Sequence, residues 1–137
     1  MATRIIIRRL EKPPEKELKE DIEWICESFG FYETIDKEKT AYAIFQKLLE
    51  SMADGKTGVS STQLGEEIKI TRGAALNHLK KMMATGLIKK DEGTYCMRCS
   101  SLYNTVVELR RDMNRMFEDI EEIAKEVDER MGVKTRR

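Results

Sequence analysis

Ser61-Thr62-Gln63-Leu64-Gly65-Glu66-Glu67-Ile68-Lys69-Ile70, followed by Thr71-Arg72-Gly73-Ala74-Ala75-Leu76-Asn77-His78-Leu79-Lys80-Lys81-Met82-Met83-Ala84-Thr85-Gly86-Leu87-Ile88, is the stretch that decides the fold. Thr71 is expected to cap a helix, because its hydroxyl can accept a free N–H of the first turn. Gly86 supplies the residue that ends it. Between them Ala75, Leu79 and Met82 are spaced by four and three, so they share one face. That face needs an apolar partner, and Leu64, Ile68 and Phe45 are the candidates. Ser61 is expected to cap the shorter helix that ends at Ile68, and Lys69-Ile70 to make the turn. Burying the shared face turns Arg72, Gly73, Ala74, Asn77, Lys80 and Lys81 outward.

The neighbouring segments extend the pattern in both directions. Leu87 to Asp91 and Thr94 to Cys99 read as two short strands joined at Glu92-Gly93, a hairpin signal. Val59-Ser60 reads as a one-rung strand. Upstream, Asp36 is expected to cap a helix whose stripe is Ala41, Ile44, Phe45, Leu48, Leu49 and Met52, closed by Gly55. Residues 3–10 read as a strand ended by Pro13-Pro14, and 15–29 as a helix with Leu18, Ile22, Ile25 or Cys26, and Phe29 on one side, stopped by Gly30. The expected organisation is an extension over 1–36, a central domain over 37–99 and a C-terminal helix over 100–137. The fold class is mainly α, of the α+β kind.

The order helix, short strand, helix, turn, helix, hairpin resembles a winged helix-turn-helix. The residues from Ile70 to Ile88, above all His78-Leu79-Lys80-Lys81 and Gly86-Leu87-Ile88, resemble the recognition helix and the approach to the wing in ArsR- and MarR-like regulators. The resemblance covers residues 40–99 and does not extend to the first 35. It implies a homodimeric transcription regulator that binds double-stranded DNA. Such a helix fits the major groove, where Arg can pair with guanine and Asn with adenine. By that resemblance Thr71, Arg72, Gly73, Asn77, His78, Lys80, Lys81, Lys89, Lys90 and Arg98 are the DNA-binding candidates. Arg72 and Asn77 would read bases, and Lys80, Lys81 and Lys89 would hold phosphates. The chain departs from many such regulators by placing Gly73, Ala74 and Leu76 where they carry Ser, Thr or a further Arg. Its hairpin tip, Asp91-Glu92-Gly93, is acidic where a minor-groove wing usually carries Arg or Lys.

Charge placement agrees with this expectation. The 137 residues carry 25 basic and 25 acidic side chains. Yet from Lys69 to Lys90 the chain has Lys69, Arg72, Lys80, Lys81, Lys89 and Lys90 with no acid among them. A local basic face on a neutral body is the footprint of a nucleic-acid contact. A solvated helix face has the same composition, and the same fold can also serve protein contact. A winged-helix assembly module without direct DNA readout is therefore the alternative reading.

Beyond the hairpin, Leu102, Val106, Leu109, Met113, Met116, Ile120, Ile123 and Val127 are spaced 4, 3, 4, 3, 4, 3, 4. This a/d heptad seam predicts one long helix over 101–131. An uncovered apolar seam must pair with a copy of itself or lie against the helix at 15–29. A coiled-coil homodimer is the expected arrangement, because it presents two recognition helices to two half-sites. Phe117, Ala124 and Met131 widen the stripe.

Several classes find no support. No apolar run approaches the ~20 residues that cross a bilayer. The short apolar start has no small-residue cleavage site after it, so a cytoplasmic protein with no membrane partner is expected. Cys26, Cys96 and Cys99 are too few for a disulfide scaffold. Cys96-Met97-Arg98-Cys99 has the spacing of a metal or redox pair, but only Cys26 and His78 remain as soft ligands, and an extended strand would point the two thiols to opposite faces. Two ordinary half-buried thiols, no metal and no cofactor are expected. No phosphate-cradling glycine loop, Ser-His-Asp set or paired acids point to an enzyme. The operator, the effector and the sign of regulation are not written in the chain.

Overall fold

The computed structural model describes residues 7, 11–12, 17–30 and 39–134. Over these described residues it is mainly helical, with one two-stranded antiparallel sheet. The elements are α1 (Leu18–Ser28), α2 (Thr40–Ala53), α3 (Ser61–Ile68), α4 (Arg72–Thr85), β1 (Ile88–Asp91), β2 (Thr94–Met97) and α5 (Leu102–Met131). The expected strand over 3–10 lies outside the described residues, apart from Ile7. So do Pro13-Pro14 and the expected Asp36 cap. The chain divides into two compact units, 1–105 and 106–137.

Within the first unit α2 is the centre. It packs against α1, α3, α4 and β2, while α3 packs on α4 and α4 on β1. Its expected stripe supplies the core: Ala41, Ile44, Phe45 and Leu48 are buried, and Leu49 and Met52 lie at its half-buried edge. Leu64 from α3, the trio Ala75, Leu79 and Met82 from α4, and Leu87, Ile88, Tyr95 and Met97 from the hairpin complete it. Ile68 is only half-buried, so Phe45 and Leu64 are the fully buried members of the apolar partner set. Each such aliphatic side chain contributes about 1.5–3 kcal/mol when taken from water.

The helix ends follow from local chemistry, with three corrections. Thr71 caps α4 as expected, its Oγ1 accepting from the Ala74 N–H at 3.0 Å, and Gly86 ends it at φ 85°. The cap of α3 is Ser60 rather than Ser61: Ser60 Oγ accepts from the Gln63 N–H at 3.0 Å, and Ser61 is the first helical residue. Lys39 stands at the start of α2 in a left-handed conformation, without a side-chain cap, and donates to Glu23 of α1 at 3.1 Å. Along α1 Ile22 and Cys26 are buried, but Leu18 is 76% exposed, because it starts the helix before the packed turns begin.

The hairpin pairs Ile88 with Met97, Lys89 with Cys96, Lys90 with Tyr95 and Asp91 with Thr94. Glu92 and Gly93 both take positive φ, 49° and 83°, the conformation of a tight two-residue hairpin turn. Val59 adds the expected single rung on the other edge of β2, exchanging two hydrogen bonds with Tyr95 at 3.0 and 2.8 Å. Gly58 precedes it at φ 136°, where a Cβ would sit 2.8 Å from the Tyr95 carbonyl oxygen.

α5 opens inside the first unit. Ser101 Oγ accepts from the Asn104 N–H at 2.9 Å, and the fully buried Thr105 hydroxyl donates to the Ser101 carbonyl and accepts from the Cys99 N–H. The second unit is the rest of this helix. It carries the i,i+3 ion pairs Glu108–Arg111, at 2.5 Å, and Asp112–Arg115. Among the described residues no helix is long and apolar enough to cross a membrane.

Candidate nucleic-acid interface

The turn between α3 and α4 sets the angle at which α4 is presented. Lys69 adopts φ 63° and ψ 47°, and the Ile70 N–H donates to the Gly65 carbonyl at 3.0 Å. Gly65 is buried, and a Cβ there would lie 3.0 Å from the Ile70 carbonyl oxygen. The small residue therefore permits the close return of the chain. With the turn fixed, Ala75, Leu79 and Met82, each 0% exposed, anchor α4 by one side.

The opposite side of α4 carries Gly73, Asn77, Lys80 and Lys81, all exposed, at the i, i+4, i+7, i+8 spacing of a single stripe. Thr71 is exposed at its start, where the N–H groups of the first turn ahead of the capped Ala74 favour an anion. Gly73 has open space around it, the nearest atom to a Cβ being its cap's Oγ1 at 4.0 Å. His78 is half-buried on the flank of the stripe.

Arg72 is exposed as expected but does not belong to that stripe. Three residues before Ala75, it lies about 60° round the axis from the buried face. Its Nε donates to Ser61 Oγ at 3.3 Å, and Ser61 is itself buried. The side chain thus joins the first turn of α4 to the first turn of α3. No local spacing could have shown this, since the two residues are eleven apart and meet only when the helices dock.

The hairpin separates the remaining candidates. Neighbouring residues of a strand point to opposite faces. Lys90 shares a face with its partner Tyr95, its ammonium lying 5.7 Å from the ring centroid. Lys89 is on the other face with Cys96, and both line a cavity of about 420 Å³. Arg98, half-buried, lines the same cavity. Lys89 and Lys90 therefore leave the hairpin on opposite faces. The exposed tip, Asp91-Glu92-Gly93, adds no cation.

Along the heptad seam of α5, Leu109 is buried, and Leu102, Val106 and Met113 are half-buried. Met116, Ile120, Ile123 and Val127 expose 44%, 60%, 58% and 52% of their surface, with Phe117 and Met131 beside them at 55% and 75%.

The three cysteines are free thiols. Cys26 is fully buried, and that burial, with Glu23 and Glu27 nearby, pushes its thiol far above the usual range. Cys96 and Cys99 are half-buried, as expected. The premise of an extended 94–99 fails, however: β2 ends at Met97 and the chain bends at 98–100, so strand alternation does not set the direction of Cys99, and both residues line one cavity. Among the described residues no group of three or more His, Cys, Asp or Glu could hold a metal ion. No family model matches the chain, and no curated protein or solved structure matches it.

Proposed function

We propose that residues 40–99 are a winged helix-turn-helix and that the protein is a cytoplasmic, non-enzymatic transcription regulator of the ArsR/MarR-like kind. It binds duplex DNA as a homodimer joined through the α5 seam. The observation that carries this reading is the outward stripe of α4. Gly73, Asn77, Lys80 and Lys81 stand exposed opposite a fully buried anchor, in a segment that has six cations and no acid from Lys69 to Lys90. A helix held by one side, with small residues at its N-terminus and cations along the other, can enter a major groove and meet phosphates on the way.

Asn77 becomes the main candidate for a base contact, and Lys80 and Lys81 for phosphates. Arg72, bonded to Ser61, either breaks that bond to reach a base or acts by holding the start of α4. Lys90, exposed beside the Tyr95 ring, stays a phosphate candidate, and Lys89, on the cavity side of the hairpin, is the weaker one. Salt-dependent binding to random-sequence duplex DNA is the test. Affinity that falls steeply with salt supports the reading, and no binding at low salt contradicts it.

A protein-contact module is the second reading, and the acidic hairpin tip favours it. Asp91 and Glu92 would repel a DNA backbone but suit a basic protein surface. The DNA measurement separates the two.

A further inference from the structure

We propose that Cys96 and Cys99 are an oxidisable dithiol pair, converted by hydroperoxides into an intramolecular disulfide at the base of the hairpin. Their placement carries this. In an extended strand three residues span roughly 10 Å, beyond the ~7 Å between Cα atoms that a disulfide tolerates. Here the strand stops at Met97, between the two cysteines, and residues 98–100 bend. The bend is held from both sides: the Arg98 N–H donates to the Leu87 carbonyl at 2.9 Å, and the Cys99 N–H donates to Thr105 Oγ1 at 3.1 Å. Both cysteines line the same cavity of about 420 Å³, open enough to admit a small peroxide, and both are partly exposed. Neither has a part in the proposed DNA surface or in the fully buried core.

Cys26 supplies the contrast. It is 0% exposed, and burial holds it in the thiol form, so it does not compete for oxidant.

The chemistry closes without a further reactant. The sulfur of one cysteine attacks the outer peroxide oxygen, the O–O bond breaks, and an alcohol, or water when the oxidant is hydrogen peroxide, leaves, giving a sulfenic acid. The second sulfur attacks the first, the S–O bond breaks, and water leaves. Two thiols have lost two electrons and two hydrogens, and the hydroperoxide has been reduced to alcohol and water, or hydrogen peroxide to water alone. The bridge closes the bend that links β2 to the first turn of α5, the turn fixed by Ser101 and Thr105.

The test treats the native full-length protein with graded hydrogen peroxide and reads intact mass, peptide maps and reagent-accessible thiols, with no DNA present. The inference therefore stands or falls apart from the proposed function. The expected result is a loss of two hydrogens, a peptide linking Cys96 to Cys99, loss of both accessible thiols, an unreacted Cys26, and reversal by dithiothreitol. With Cys99→Ser or Cys96→Ser, the remaining cysteine should instead stop at a sulfenic acid that a dione probe traps. Three results would overturn the proposal: no oxidation, separate overoxidation of the two cysteines in the wild type, or disulfides formed only between copies.

Discussion

Arg72 Nε donates to the buried hydroxyl of Ser61 at 3.3 Å, so the first turns of α3 and α4 are fastened by one side-chain bond. The bond changes what a substitution at Arg72 can be expected to do. Arg72→Ala leaves Ser61 without this donor and should lower stability by about 0.5–1.5 kcal/mol, the net worth of a typical hydrogen bond. Arg72→Lys cannot reproduce the Nε geometry and should recover only part of the loss. Urea denaturation of the three proteins checks this. Equal stability in all three would show that the contact contributes nothing. Any DNA defect of Arg72→Ala must then be compared at matched folded fraction.

Gly58 marks the point where the α2–α3 connection meets β2. Its φ of 136° and the 2.8 Å approach that a Cβ would make to Tyr95 O mean that Gly58→Ala combines backbone strain with a clash against backbone. A loss of about 1–3 kcal/mol is expected. Gly55→Ala, at φ 72° with nothing within 4 Å, carries strain alone and should cost nearer ~1 kcal/mol. Thermal melts that rank the two in the opposite order would contradict the packing described here.

The buried thiol of Cys26 makes a pH prediction. Its folded pKa lies above its unfolded value, so its contribution to stability is fully present below the unfolded value and is lost as pH rises through and beyond it. The window therefore opens near pH 9, where an unfolded cysteine ionises and the buried one does not. Cys26→Ala should cost stability at neutral pH through lost packing, yet show a shallower decline above that pH. Unfolding free energies measured across the alkaline range check it. Parallel curves for wild type and variant would sink the assignment.

Much of the central unit is legible along the chain because its determinants are local. Thr71 and Gly86 bound α4, Glu92-Gly93 turns the hairpin, and the Ala75, Leu79, Met82 spacing names the buried face. What escapes a sequence reading is set by contacts across distance or by competition between equivalent neighbours. Ser60 and Ser61 are chemically the same, and only backbone geometry selects Ser60 as the cap. Gly58 looks like any loop glycine until Tyr95, 37 residues later, comes against it. Lys89 and Lys90 look like one basic pair until the strand alternation parts them, and Cys99 looks like a strand residue until the chain bends.

The proposed dimer rests on the seam of α5. Met116, Ile120, Ile123 and Val127, each roughly half exposed, need a partner surface to complete their burial, and covering the exposed half of each contributes about 0.7–1.5 kcal/mol. Wild type should sediment as a dimer at micromolar concentration. Met113→Glu or Ile120→Lys should shift it to monomer or unfold it. Circular dichroism distinguishes those two outcomes. A monomeric wild type would contradict the homodimer.

The central claim is that the outward stripe of α4 meets DNA, and fluorescence anisotropy on a labelled random-sequence duplex, repeated over a range of salt, tests it most directly. Wild type should bind with an affinity that falls linearly on a logarithmic salt scale. Lys81→Ala should weaken binding to all sequences about equally and reduce the slope by roughly one. Asn77→Ala should leave that slope alone and cost about 1–3 kcal/mol only on a preferred sequence. A wild type without salt-dependent binding, or one whose binding neither substitution alters, would contradict the account and leave the protein-contact reading in its place.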